Sequence, residues 1–279
     1  MLNRFRIAAA PLLALVLPVP AAAQEQEPPI ALSDDPFQVT SPRAAAPGAM
    51  SLAAAGFYNR SRIGSFPYTV GTDTTLTVGV VRNLDVRFGA TGDYGSLEGR
   101  RRSALGLGGA SGAGGSSQAG GPFLGSLYQI TEERGALPAI GVLGYARVLY
   151  GAEKPDYQAE LSAAVGKTLL GKERPLGVNL NLGAVTRLAP ADGQRPSLYF
   201  GSVAVGQTLT HDTALVASYV RQQQSRGQLD LSVFEVGVRH RLADSKVVLG
   251  FVAGAGLNRS SPRLEVGFAL LWQLSGGKP

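Results

Sequence analysis

Along this chain, segments of about ten residues recur in which large apolar side chains alternate with small or polar ones. Beyond the N-terminal region no apolar stretch is long enough for a membrane helix. A strand sends successive side chains to opposite faces, so each segment reads as a sheet with one greasy face. Leu264, Val266, Phe268, Leu270, Trp272 and Leu274 fall on one face, with Glu265, Gly267, Ala269 and Gln273 on the other; Leu271 alone breaks the pattern. Leu176, Val178, Leu180 and Leu182 oppose Gly177, Asn179, Asn181 and Gly183, and Leu84, Val86 and Phe88 oppose Asp85, Arg87 and Gly89. A soluble sandwich would charge its second face heavily. Here that face is Gly, Ser, Asn, Gln and Ala, and only 16% of all residues are charged. The apolar face is therefore expected to meet lipid, and the small polar face a lumen. Backbone groups in hydrocarbon must all be paired, which forces such a sheet to close.

The fold class expected is all-β: a transmembrane antiparallel up-and-down barrel of twelve strands, with ten or fourteen also compatible with the pattern. The strands are placed at 49–59, 73–82, 84–93, 122–131, 136–149, 157–169, 175–188, 196–210, 213–222, 228–242, 245–256 and 262–274. Connections after even strands are short, such as Arg82-Asn83, and most of those after odd strands are longer. Bacterial barrels show this asymmetry, with short periplasmic turns and longer outer loops. The longest loop holds the Gly/Ser run 106–121, which cannot build a core.

The N-terminus reads as an address. Arg4 and Arg6 precede the apolar run 7–19, and Ala21-Ala22-Ala23 supplies a cleavage site, so 1–23 is expected to be a cleaved signal peptide. Residues 24–47 are acidic, then Pro- and Ala-rich, and are expected to form a flexible periplasmic leader. The barrel is assigned 48–275 and a tail 276–279. A plug role for the leader is a minor alternative, because it has few large apolar residues to pack.

Little chemistry is available. The chain has no Cys and two His, His211 and His240, which are not at metal-ligand spacing. No metal or other cofactor is expected, and no enzyme activity. An outer-membrane lipase would need a Ser held against its His, and Val238-Arg239-His240-Arg241 offers none. The net charge of +6 falls when the signal is removed, and the remaining basic residues are scattered apart from Arg100-Arg101-Arg102. Nucleic acid is not expected as a partner.

Alternation predicts that Asp85, Arg87, Arg147, Glu160, Asn179, Asn181, Arg187, Glu235, Arg239, Arg241 and Glu265 line the lumen. Two readings follow: charges that tune a pore, or Arg–carboxylate pairs that brace a narrow interior. Tyr150, Tyr157, Tyr199 and Trp272 lie near strand ends and suit an interfacial aromatic girdle. Tyr145 and Phe200 are the candidate inward aromatics, Phe200 turning to lipid if its strand carries a bulge.

On these residues the chain resembles the bacterial outer-membrane barrels named after the meta-cleavage pathway of phenol degradation. The blocks are 74–92 (TTLTVGVVRNLDVRFGATG), 124–146, and 254–274 (GAGLNRSSPRLEVGFALLWQL). They are diffuse motifs spread over 50–274. The resemblance implies an outer-membrane barrel, in a family sometimes proposed to move hydrophobic compounds. The chain departs from many such barrels in carrying seven residues after Trp272.

The function expected is passive passage of small solutes, hydrophobic or anionic, through a monomer in outer-membrane lipid that the outer-membrane assembly machinery inserts. The alternatives are a non-conducting structural or display barrel with binding loops and, further off, an outer-membrane lipase.

Overall fold

A computed structural model describes residues 39–60, 68–95, 118–150, 155–170, 174–190, 195–224, 229–242 and 245–276. The expected signal peptide, residues 24–38 of the leader and the 96–117 loop lie outside the described residues. The strands are β1 (Met50–Arg60), β2 (Tyr68–Val81), β3 (Leu84–Gly95), β4 (Gln118–Thr131), β5 (Ala139–Leu149), β6 (Asp156–Leu170), β7 (Leu176–Arg187), β8 (Ser197–Thr210), β9 (Thr213–Gln222), β10 (Leu231–Arg241), β11 (Val247–Gly256) and β12 (Leu264–Ser275). Each pairs antiparallel with its chain neighbours, and β1 pairs with β12, so the sheet is a closed twelve-stranded barrel. Closure leaves no sheet edge unpaired, as a bilayer demands.

The two ends differ. The segments 82–83, 132–138, 171–175, 211–212 and 242–246 connect strands at one end, which also holds the start of β1 and the end of β12. We call it the short-turn end. One of the two tightest of these turns depends on Asn83, whose φ of 68° is one that Asn tolerates. Segments 61–67, 96–117, 150–155, 188–196, 223–230 and 257–263 join strands at the other, long-loop end.

Two strands begin earlier than their sequence suggests. β2 reaches back to Tyr68 and β4 to Gln118. Gly71, Gly120 and Gly121 fall outside the strands placed at 73–82 and 122–131, yet ladder pairing to β3 holds them in register.

Burial alternates along the strands, with the outward row carrying exposed Leu, Val, Phe and Tyr. The inward row is less uniformly polar than the sequence suggests. Leu127, Leu143, Val216, Val220, Leu231, Val233, Val248 and Val252 are all buried. Leu271, the residue out of phase in β12, packs inward on Ala214 and Val248.

Candidate functional site: the lumen and its strap

The chain entering β1 does not stay outside the barrel. Val39 packs on Ala204 of β8 and Val216 of β9. Thr40 donates its N–H to Asn181 Oδ1 at 2.6 Å, and Asn181 Nδ2 donates back to the Thr40 carbonyl at 2.8 Å. Pro42 is buried against β5 and β6: a β-carbon on Gly141 would stand 2.6 Å from the Pro42 carbonyl oxygen, and one on Gly166 2.9 Å from Pro42 Cγ. Ala44 N–H donates to Gln129 Oε1 of β4 and Ala45 N–H to Asp85 Oδ2 of β3, both at 3.1 Å. The Ala46 carbonyl then lies over Gly79 of β2. Residues 39–46 thus form a strap that runs inside the short-turn end from β9 round to β2. This corrects the expectation of a free leader up to residue 47. Side-chain amides and a carboxylate on the wall satisfy the strap's backbone, so it needs no large apolar residue to stay there. Gly79, Gly141 and Gly166 give it room.

A carboxylate at the foot fixes the strap's outer side. Glu133, in the β4–β5 turn, accepts from Arg43 Nη2 at 2.8 Å, Lys167 Nζ at 3.1 Å, Thr168 N at 2.8 Å and Thr168 Oγ1 at 3.1 Å. Partial burial would by itself raise the Glu133 carboxyl. The hydrogen bonds from Thr168, Lys167 and Arg43 outweigh it and hold the group below its ordinary value. Neighbouring Glu132 is also held down, by Arg134 and Arg82. Strap and turns border a cavity of about 840 Å³ open to the short-turn end, lined by residues including Arg43, Ala45, Arg82, Gln129 and Glu133.

The structure places all eleven sequence-predicted lumen residues on the inward face, Asn181 and Asp85 against the strap and Arg241 at the short-turn rim. Asp85, Arg147, Glu160, Asn179, Asn181, Arg187, Glu235, Arg239 and Glu265 are buried, and Arg87 and Arg241 are partly so. Most charges meet a partner. Arg147 Nη2 donates to Glu160 Oε2 at 2.5 Å, with both side chains sealed from water. Arg187 reaches Asp156 at 3.1 Å, and Arg87 reaches Asp85 at 2.8 Å. Arg241 stands 3.7 Å from Asp212 at the short-turn rim. Ser218 Oγ donates to Glu235 at 2.8 Å, and Asn59, with its amide nitrogen turned to Glu265, donates there at 3.1 Å. Sequence reasoning missed Asp156, Ser218, Gln129 and Asn59; their inward parity was the available signal. Glu235 and Arg239 have no exposed surface at all. The interior is therefore braced by paired charges.

Four inward aromatics share one local design. Phe57, Phe123, Tyr145 and Phe200 stand in register with Gly71, Gly89, Gly125 and Gly183 on adjacent strands. Each ring occupies the space a β-carbon on its glycine would take. A ring covering a bare backbone protects that stretch of sheet and lies along the wall. Phe123 and Tyr145 also meet edge to face, with centroids 6.1 Å apart. Phe200 does not turn to lipid. Phe57 and Phe123 escaped the sequence reading, though Phe57 has the parity of Asn59.

On the outside, Tyr150, Tyr157 and Tyr199 are exposed at the long-loop end and Trp272 at the short-turn end. Tyr58, Tyr68 and Tyr94 join the first group and Tyr128 the second. His240 is exposed, with Nδ1 2.9 Å from Thr213 Oγ1, and His211 contacts Asp212 in the β8–β9 turn.

No protein-family model matches the sequence, and no curated protein matches it closely enough to show a family. In structure the chain is similar to an outer membrane channel from Pseudomonas putida F1, with a TM-score of 0.59 and 13% identity over 83% of this chain and 97% of that one. It is also similar to the beta domain of the Bordetella autotransporter Brka, with a TM-score of 0.52 and 11% identity over 82% and 100%. At such identities the likeness is one of fold, that of outer-membrane barrels.

Proposed function

We propose that this protein is a narrow passive channel of the outer membrane for small solutes, apolar ones in particular, with the strap as its short-turn closure. The observation that carries this reading is the way the lumen is filled. A purely structural barrel can fill its interior with side chains from its own wall. Here wall glycines leave room, and a separate chain segment, held largely by side-chain hydrogen bonds, takes it up. Such a closure can leave without opening the sheet.

The solute class follows from what lies above the strap. The Arg–carboxylate pairs largely cancel one another, which removes a strong preference for either ion sign. The flat aromatics and the valines of β9 to β11 supply apolar surface between them. This agrees with what the resemblance to the phenol-pathway barrels implies. The protein would act as a monomer in outer-membrane lipid, inserted by the assembly machinery, without a cofactor and without catalysing a reaction.

The test is single-channel recording in planar bilayers of the refolded chain and of a form lacking residues 24–46. Rare, small openings in the first and steady, larger ones in the second are expected. Two silent, folded barrels would sink the channel reading and leave the structural or display barrel.

A further inference from the structure

Most described arginines at the rims and in the lumen have a carboxylate partner: Arg43, Arg82, Arg134 and Arg221 at the rims, and Arg87, Arg147 and Arg187 inside. One corner of the long-loop rim gathers three that have none among the described residues. Arg60, Arg259 and Arg263 are exposed there, and no described carboxylate pairs with any of them. The nearby acids are committed elsewhere, Asp230 to Arg221 and Glu265 to the lumen beside Asn59.

The arrangement is built. The Arg263 N–H donates to the Arg60 carbonyl at 2.7 Å, which fixes the β11–β12 turn against the top of β1. Asn258 organises that turn: its Oδ1 accepts from Ser260 N and Ser261 Oγ, and its Nδ2 donates to the Asp230 carbonyl at 2.7 Å. By strand alternation Arg60 lies on the lipid-facing side, one step above Tyr58 and in register with Tyr68. Tyr58 and Tyr68 stack at 6.3 Å. Arg60 therefore stands outward at the level of the aromatic girdle, and the exposed Arg259 and Arg263 lie in the turn that its carbonyl anchors, none of the three with a described carboxylate partner.

Beneath them the wall is recessed. Gly56, Thr72, Gly92 and Gly120 form one in-register outward row across β1 to β4, and Ala54, Thr74, Ala90 and Pro122 form the next. Leu76 and Phe88 border this floor below, Tyr58 and Tyr94 above, and Phe268 on the β12 side. A β-carbon on Gly56 would meet nothing nearer than 3.9 Å and one on Gly92 nothing nearer than 3.6 Å, so the recess is open there, whereas one on Gly120 would stand 2.5 Å from the Thr91 carbonyl oxygen. Four strands make it roughly 14 Å wide at the usual strand spacing.

We infer that this face binds a phosphorylated lipid of the outer leaflet, with phosphate on Arg60, Arg259 and Arg263 and acyl chains in the recess below. Guanidinium and phosphate match in charge and in paired hydrogen-bond geometry, and the girdle sets Arg60 at headgroup depth, with the turn that carries Arg259 and Arg263 hydrogen-bonded to it. The site does not depend on whether the lumen conducts. It requires only a bilayer whose outer leaflet meets the long-loop end.

The experiment is native mass spectrometry of the full refolded chain in detergent, titrated with bisphosphorylated lipid A, its dephosphorylated form, and inorganic phosphate. The bisphosphorylated lipid should bind at least tenfold tighter than the dephosphorylated one, the effect of about one charge-assisted contact. Arg259→Gln, in an exposed turn where folding is not at stake, should weaken it several-fold, and the triple change with Arg60→Gln and Arg263→Gln further. Arg221→Gln, whose residue is already paired, should leave it unchanged. Gly56→Leu should weaken lipid binding and leave inorganic phosphate as it was. Equal binding of the two lipid forms, equal binding by a heat-modifiable triple variant, or inorganic phosphate binding as tightly as lipid would each overturn the assignment.

Discussion

Phe200 and Gly183 face each other across the β7–β8 ladder, and the Phe200 ring lies where a side chain on Gly183 would have to go. A β-carbon at 183 would stand 2.5 Å from Phe200 Cζ, 2.5 Å from Ser162 Cβ and 2.7 Å from the Leu161 carbonyl oxygen. The ring can swing into the lumen, but the backbone cannot easily yield. Gly183→Ala should therefore destabilise the barrel by about 1–3 kcal/mol, the usual cost of overpacking. Adding Phe200→Ala should recover only part, because the Leu161 clash remains. Urea unfolding followed through Trp272, the only Trp in the chain, measures both.

Arg147 and Glu160 make a different kind of contact, since neither side chain touches water. Removing one partner takes the ion pair from a charge that stays buried. Glu160→Leu alone should cost about 3–5 kcal/mol, whereas Arg147→Met with Glu160→Leu should cost much less or nothing. A double-mutant cycle on unfolding free energies checks this. Additive losses would mean that the two residues do not act as a pair.

Glu133 ties Arg43 of the strap to Lys167 and Thr168 of β6. Its carboxyl is held below the ordinary value in the folded barrel. The contribution is then complete above the ordinary glutamate value of about 4.3 and is lost as pH falls through the lowered one. Open probability in bilayers should be flat from neutral pH down to about 5, then rise. Glu133→Gln should remove that acid step by raising the neutral-pH openings. An acid response unchanged in Glu133→Gln would assign it to another group.

The barrel was legible because alternation is a local property. Asn179 and Asn181 declare their face through Leu180 and Leu182 alone, and no distant contact is needed to place them. The asymmetry of turns and loops fixed the strand phase in the same way. The strap was not legible, since residues 39–46 have no period and their partners are remote; Thr40 and Asn181 lie 141 residues apart. Its only trace was indirect, in inward glycines such as Gly141 and Gly166 that no aromatic covers. The aromatic–glycine pairs were hidden for a related reason. Gly71, Gly120 and Gly121 fall outside the strands the sequence places, and the Phe57–Gly71 pairing appears only once β2 is extended to Tyr68.

Asn181 holds the strap by both ends of its amide, accepting from Thr40 N and donating to the Thr40 carbonyl. An Ala there leaves two backbone groups of the strap without their wall partners, at a cost of about 1–3 kcal/mol if they remain buried. The strap can avoid that cost by moving out to water, whereas the sheet cannot. Asn181→Ala should therefore leave urea unfolding of the barrel nearly unchanged while conductance rises towards that of the form lacking 24–46. Asn181→Asp keeps the acceptor for Thr40 N but loses the donor, and should fall between the two. Protease cleavage within the strap, monitored by the mass of the barrel fragment, supplies the second readout. Faster cleavage in the order wild type, Asp, Ala is expected. Cleavage that does not change with residue 181 would show that the strap is held elsewhere, and Gln129 and Asp85 would be the next positions to replace.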